Sequence, residues 1–193
     1  MQEIQAIISE SIEVKKQLLD DTKILEDINT CVEVIVQALK NGNKILLCGN
    51  GGSAADAQHL AAEFSGRFYH DRKALPAEAL HVNTSYLTAV ANDYSFDVVY
   101  ARLLDGIGVQ GDVLIGISTS GNSTNIVNAL QVANTKGIYT IGFTGRSGGK
   151  MKDYCDTLIP VPSNDTPRIQ ECHILIGHVI CQLAEQKYFD ISQ

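Results

Sequence analysis

The sequence predicts an α/β fold: a doubly wound, five-stranded parallel sheet flanked by helices, with two further helices ahead of it. Three observations carry this reading. Short apolar runs without polar alternation, such as KILLC at Lys44–Cys48 and VLIGI at Val113–Ile117, alternate with helix-period segments. Such strands are buried on both faces, as happens when helices cover a parallel sheet. Two of the strands run into glycine- or serine-rich loops that open helices, the place where an open parallel sheet holds its ligands. The 193 residues, 45% apolar and 19% charged, suit one ordered domain with a full core.

Residues 1–40 read as two amphipathic helices. Ile4, Ile7, Ile8, Ile12, Leu18 and Leu19 recur at three- and four-residue steps, and Ile24, Leu25, Ile28, Val32, Ile35, Val36 and Leu39 form a broader apolar face. Asn41-Gly42-Asn43 is a turn signal that closes the second helix. Two helices that precede any strand need a surface to bury against, and a partner subunit is a candidate. Residues 41–193 then read as one unit. Its strands are expected at Lys44–Cys48, Ala79–Val82, Val113–Ile117, Tyr139–Phe143 and Thr157–Val161. Its helices are expected at about 53–65, 84–104, 123–136, 149–154 and 166–188. No repeat, low-complexity tract or linker divides the chain.

The formal net charge of −7 argues against a nucleic-acid or anionic-membrane binder. No run of 18 apolar residues suggests a spanning helix. The opening MQEIQAIISESIEVKK carries acids early and lacks a basic segment followed by an apolar one, which argues against a signal peptide. The five cysteines are odd in number and lack CxxC spacing, so they read as reduced, mostly buried thiols of a cytoplasmic protein.

Chemistry concentrates in four places. The first is Cys48-Gly49-Asn50-Gly51-Gly52-Ser53, a turn whose glycines let backbone approach a ligand and whose Ser53 can cap the next helix. No Lys follows, so it is not a Walker A loop, and taken alone it is equally an ordinary tight connection. The second is Ser118-Thr119-Ser120-Gly121-Asn122-Ser123. Four hydroxyls beside a helix N-terminus make a phosphate cradle that needs no cation, because backbone N–H groups and the helix dipole favour an anion. An acidic chain can therefore still take an anionic ligand.

The third is His59 and Glu63, which at i and i+4 share one helix face within reach of a common metal or substrate. Read alone, the pair fits a surface ion pair as well. The fourth is Arg168-Ile169-Gln170-Glu171-Cys172-His173 with His178 on the last helix, where the five-residue step points His173 and His178 in different directions. His173 therefore reads as a packed or interfacial histidine. His70, Asp71, Arg72 and Lys73 read as a solvated loop, Tyr94 and Phe96 as packing residues, and His81 as a strand-end residue without an assigned task.

These segments together resemble the phosphoheptose isomerases of the sugar-isomerase (SIS) domain superfamily. The similarity rests on CGNGGSAADAQHLAAEFSGR, ANDYSF, GDVLIGISTSGNS and VPSNDTPRIQECHILIGHVICQ, covers about residues 44–185, and is fitted by the two N-terminal helices. Where many members read GNDYGF, this chain has Ala91-Asn92-Asp93-Tyr94-Ser95-Phe96. The resemblance implies the conversion of sedoheptulose 7-phosphate to D-glycero-D-manno-heptose 7-phosphate, a first step toward ADP-heptose for lipopolysaccharide. It implies Glu63 as base and His178 as acid, and one Zn2+ held by His59, Glu63, Gln170 and His178. It further implies substrate contacts at Asn50, Gly51, Gly52, Ser53, Glu63, Asn92, Asp93, Ser118, Thr119, Ser120, Ser123 and Gln170, and a homotetramer. In a regular helix Gln170 and His178 stand about 12 Å apart along the axis and about 80° around it. Either Gln170 precedes the regular helix or the site combines subunits, and shared interfacial sites are the expectation. The alternative is a non-catalytic SIS-domain phosphosugar binder acting through a protein partner such as a replication initiator. A dinucleotide-binding reading is weaker, since no ribose-binding acid follows the second strand.

Overall fold

A computed structural model describes residues 1–191. Two helices come first, α1 (Gln2–Asp20) and α2 (Thr22–Lys40), broken at Asp21, whose carboxylate caps α2 by accepting from Ile24 N at 3.1 Å. There follow β1 (Ile45–Gly49), α3 (Gly52–Ser65), β2 (Ala77–Ala79), α4 (Thr84–Asp93), α5 (Val99–Ile107), β3 (Val113–Ile117), α6 (Thr124–Thr135), β4 (Tyr139–Gly145), β5 (Thr157–Val161) and α7 (Thr166–Phe189). Two short 3-10 turns, Phe96–Val98 and Gly149–Asp153, stand before α5 and β5.

All strand pairings are parallel, in the order β2-β1-β3-β4-β5. The chain leaves β1 for β2 on one side and returns to β3 on the other, so the switch point lies between β1 and β3. Their register puts Gly49 opposite Ile117, and the glycine and serine loops therefore leave the sheet side by side. Helices α2, α3 and α7 bury one face of the sheet, and α4, α5 and α6 the other.

The expected α/β class and the five parallel strands are found, with local differences that have physical reasons. The second strand lies at Ala77–Ala79 rather than Ala79–Val82: Leu80 is buried and still donates to Leu47 O on β1 at 2.8 Å, but the chain turns there and leaves the sheet. The segment expected as one helix over 84–104 is two, α4 and α5, interrupted where Ser95 adopts extended backbone. Ser53 does not cap α3: Gly51 takes the N-cap position at a φ of +55°, and Ser53 is buried inside the first turn. The last helix is continuous from Thr166 with Pro167 in its first turn, so Gln170 lies within it and not before it.

The two N-terminal helices differ from each other. In α2, Ile24, Ile28, Val32, Ile35 and Leu39 are buried in the chain's own core. In α1 only Leu18 is buried, and Ile4, Ile7, Ile8 and Ile12 remain exposed. All five cysteines are free thiols, Cys155 half-buried and the others buried. Burial pushes the thiols of Cys31 and Cys155 up to about 12, which leaves them protonated and unreactive at neutral pH. Among the described residues no helix is long and apolar enough to cross a membrane.

Candidate active site

At the switch point the two loops form facing walls. Asn50 on the glycine loop and Asn125 on α6 exchange amide hydrogen bonds in both directions, each 2.9 Å. Tyr100 adds a buried bond from its hydroxyl to Gly49 O at 2.6 Å. Neither Asn125 nor Tyr100 was marked by local sequence pattern, because each partner lies 50 or more residues away. These three bonds explain why the loops hold a defined gap.

That gap is a pocket of about 360 Å³ lined by Asn50, Gly51, Gly52, Ser53 and Gln170 on one side and by Ser118, Thr119, Ser120 and Ser123 on the other. Ser118 Oγ lies 2.9 Å from Ser123 Oγ and 3.4 Å from Ser120 Oγ, so three hydroxyls gather at one point. Gly52 is needed here: a Cβ on it would stand 2.6 Å from Gln170 Nε2, so the glycine lets the amide of α7 reach the pocket floor. Asn92 and Asp93 are not in this pocket. They are exposed at the end of α4, where the Asn92 amide donates to the Asp93 carboxylate at 2.9 Å.

The glycine loop feeds α3, which carries His59 and Glu63 toward α7. His59 Nε2 lies 3.0 Å from His178 Nε2 and 3.3 Å from Glu63 Oε1, and one ligand atom from each of the three residues falls within 4.8 Å of the others. Two imidazole nitrogens and a carboxylate converging on one point are the donor set of catalytic zinc sites, so these residues fit a divalent metal. His178 has its pKa lowered, first by burial and then by the nearby His59, with Glu63 pulling the other way. A neutral imidazole is the form that binds metal or accepts a proton.

His173 is separate, as the five-residue step implies. It is fully buried beside Phe143, its Nε2 3.1 Å from Thr144 O, and burial lowers its pKa to about 4. His81, half-buried after β2, joins none of these clusters. Tyr94 and Phe96 are exposed rather than packed, with the Arg102 guanidinium 4.4 Å above the Tyr94 ring.

The expectation of a solvated loop at 70–73 is corrected for Arg72. Its side chain is 4% exposed and donates from Nε to Glu185 Oε1 at 2.8 Å, while Glu185, on α7, is 1% exposed. The guanidinium also donates to Glu63 O and Phe64 O at 2.8 Å each and to Gly66 O at 3.1 Å. Burial raises the Glu185 carboxyl, but Arg72 and the amides of Phe68, Tyr69 and His70 outweigh it and hold the group below the ordinary value. A pairing across 113 residues leaves no local spacing to read.

Known proteins resemble this molecule in both sequence and shape. The SIS domain family matches residues 8–145. The phosphoheptose isomerase of Clostridium acetobutylicum is 56% identical over 186 residues, which cover 96% of this chain and 95% of that one. The structure of phosphoheptose isomerase GmhA from Neisseria gonorrhoeae superposes with a TM-score of 0.90 at 43% identity, over 96% of this chain and 98% of that one. A phosphoheptose isomerase from Francisella tularensis gives a TM-score of 0.91 at 34% identity, over 96% and 97%.

Proposed function

Since the chain belongs to the SIS-domain phosphoheptose isomerases and is an isomerase enzyme, we propose that it converts sedoheptulose 7-phosphate to D-glycero-D-manno-heptose 7-phosphate. We further propose that it does so in the cytoplasm, as the first step toward ADP-heptose for lipopolysaccharide. The observation that carries the reading is the meeting of the Glu63 carboxylate with the His178 imidazole, on the same α3 and α7 that line the hydroxyl-rich pocket.

The reaction moves a proton between adjacent carbons while carbonyl and hydroxyl exchange places. It needs a base at C1 and C2, an acid at their oxygens, and stabilisation of the enediol charge. Ser118, Thr119, Ser120 and Ser123 hold the phosphate with hydroxyl and backbone donors, and Asn50, Gly51, Gly52, Ser53 and Gln170 close over the chain of the sugar. Binding at the remote phosphate orients the reacting end. Glu63 takes the proton from C1 of the ketose and returns it to C2. His178 passes a proton to O2 and takes up the one that O1 gives up, so that the product aldehyde forms at C1 with no net change in atoms or charge.

One Zn2+, held by His59, Glu63 and His178 with Gln170 as a further donor, would polarise the two oxygens. Ligation weakens Glu63 as a base, so its carboxylate divides between the two tasks. His59 keeps the cluster together by facing both other groups.

The exposed positions of Asn92 and Asp93 and the bare apolar stripe of α1 support a homotetramer with active sites at subunit interfaces. In that assembly Asn92 and Asp93 serve a neighbouring subunit's pocket, and residues 1–40 act as packing helices, α2 from within the core and α1 from outside it. The test is an assay of the purified protein with sedoheptulose 7-phosphate, before and after treatment with a chelator. Formation of the aldose, lost on chelation and restored by zinc, is the expected result. No aldose under any metal condition would overturn the substrate.

A further inference from the structure

Arg72 and Glu185 are charged, almost wholly out of solvent, and have no part in the chemistry just described. Burying two charges is expensive, and such a pair persists where geometry and additional hydrogen bonds satisfy both partners. Here each donor and acceptor points to the same task. The guanidinium accepts no bond and donates to the carbonyls of Glu63, Phe64 and Gly66 at the end of α3 and to that of Lys73 in the loop after it; Phe64 O accepts from Leu75 N as well. The carboxylate accepts the backbone N–H groups of Phe68, Tyr69 and His70 at 3.0–3.2 Å. The loop between α3 and β2 is thereby fastened to α7 at one buried point.

The fastening is close to the proposed chemistry on both sides. One end grips the carbonyl of Glu63 itself. The other stands seven residues after His178, two turns along the same helix face. Phe68, held by Glu185, lays its ring 5.5 Å from the His178 ring. We propose that the Arg72–Glu185 pair is a positioning device that sets the Glu63 carboxylate against the His178 imidazole by locking the end of α3 to α7. The role of Glu63 and His178 in isomerisation is the premise of the previous section; the geometric claim concerns only how they are held.

A lysine cannot replace this arginine, because an ammonium lacks the planar fork that serves a carboxylate and four carbonyls together. The full-length wild type, Arg72→Lys and Glu185→Gln are compared by circular dichroism, by zinc affinity in competition with a fluorescent chelator, and by kcat and KM for sedoheptulose 7-phosphate. Loss of an outer positioning group is expected to weaken zinc binding and kcat each about 10- to 100-fold, with KM within about threefold. The isosteric Glu185→Gln, which keeps an acceptor in place, decides the matter if Arg72→Lys does not fold. A folded variant with wild-type zinc affinity and kcat overturns the proposal, as does a loss that only tracks the unfolded fraction. If the wild type does not turn over sedoheptulose 7-phosphate, the substrate reading fails, and zinc affinity alone decides the positioning role.

Discussion

Leu60 rests so directly on Gly177 that a Cβ on the glycine would stand 2.5 Å from both Leu60 methyl carbons. Helices α3 and α7 thus approach at a point where one of them carries no side chain, one residue from His178 and one from His59. Leu60 is itself buried, so any shift of its side chain must displace packed neighbours. Gly177→Ala is expected to force the helices apart, costing about 1–3 kcal/mol of stability and drawing His59 and Glu63 away from His178. Urea midpoint and turnover should fall together; a variant unchanged in both would mean that Leu60 yields without moving α3.

Replacing Glu63 by Gln keeps the shape and removes the proposed base. Turnover of sedoheptulose 7-phosphate is expected to drop about 10²- to 10⁴-fold, the usual contribution of a positioned acid or base. Near-wild-type kcat in Glu63→Gln would sink the assignment.

The phosphate end calls for a different signature. Ser123 faces Ser118 across 2.9 Å in the hydroxyl cluster. A hydrogen bond to a charged group contributes about 1.5–3 kcal/mol, so Ser123→Ala is expected to raise KM about 10- to 100-fold with little change in kcat. A variant that loses kcat at constant KM would place Ser123 in the chemical step instead.

Acidification tests the core. His173 takes up a proton at about 6.5 when unfolded and only near 4 when buried. Between those values the unfolded chain binds more protons, so this contribution is complete above pH ~6.5 and is lost as pH falls toward ~4, about 3 kcal/mol in all. Urea midpoints measured from about pH 7 down to about pH 5 should fall more steeply in the wild type than in His173→Gln. Parallel slopes would show that His173 does not couple folding to pH.

Removing α1 probes the assembly. A chain without residues 2–20 keeps the buried face of α2 but loses the exposed isoleucine stripe. Light scattering is expected to show a smaller oligomer with reduced isomerase activity; an active particle of unchanged size would refute packing through α1.

Local pattern was enough for the strands and most helices. VLIGI and TLIPV carry their own apolar signature and appear at Val113–Ile117 and Thr157–Val161 as read. The β2 edge differs because Leu80 is buried and makes one last bond to β1 while its own backbone already turns away. The i, i+4 spacing of His59 and Glu63 announces a shared face, and the hydroxyl run of 118–123 announces an anion cradle. Nothing local announces Asn50 with Asn125 or Arg72 with Glu185, since each pair is brought together only by the sheet and helices between them. Arg72 reads as solvated because its neighbours His70, Asp71 and Lys73 are polar, while the carboxylate that buries it is on another element.

The last helix has a consequence for how the molecule comes into being. It completes the core beside α2 and α3, ties Glu171 to Ser11 at 2.6 Å, and carries His178. Chain synthesis runs from the N-terminus, so α1 and α2 wait for a partner that begins only at Thr166. Their closure bridges 160 residues at Ser11 and Glu171, a long-range contact of the kind that slows folding. A nascent chain stopped before residue 166 would expose the apolar face of α2 and hold only His59 and Glu63 of the three clustered residues, making quality control sensitive to premature termination.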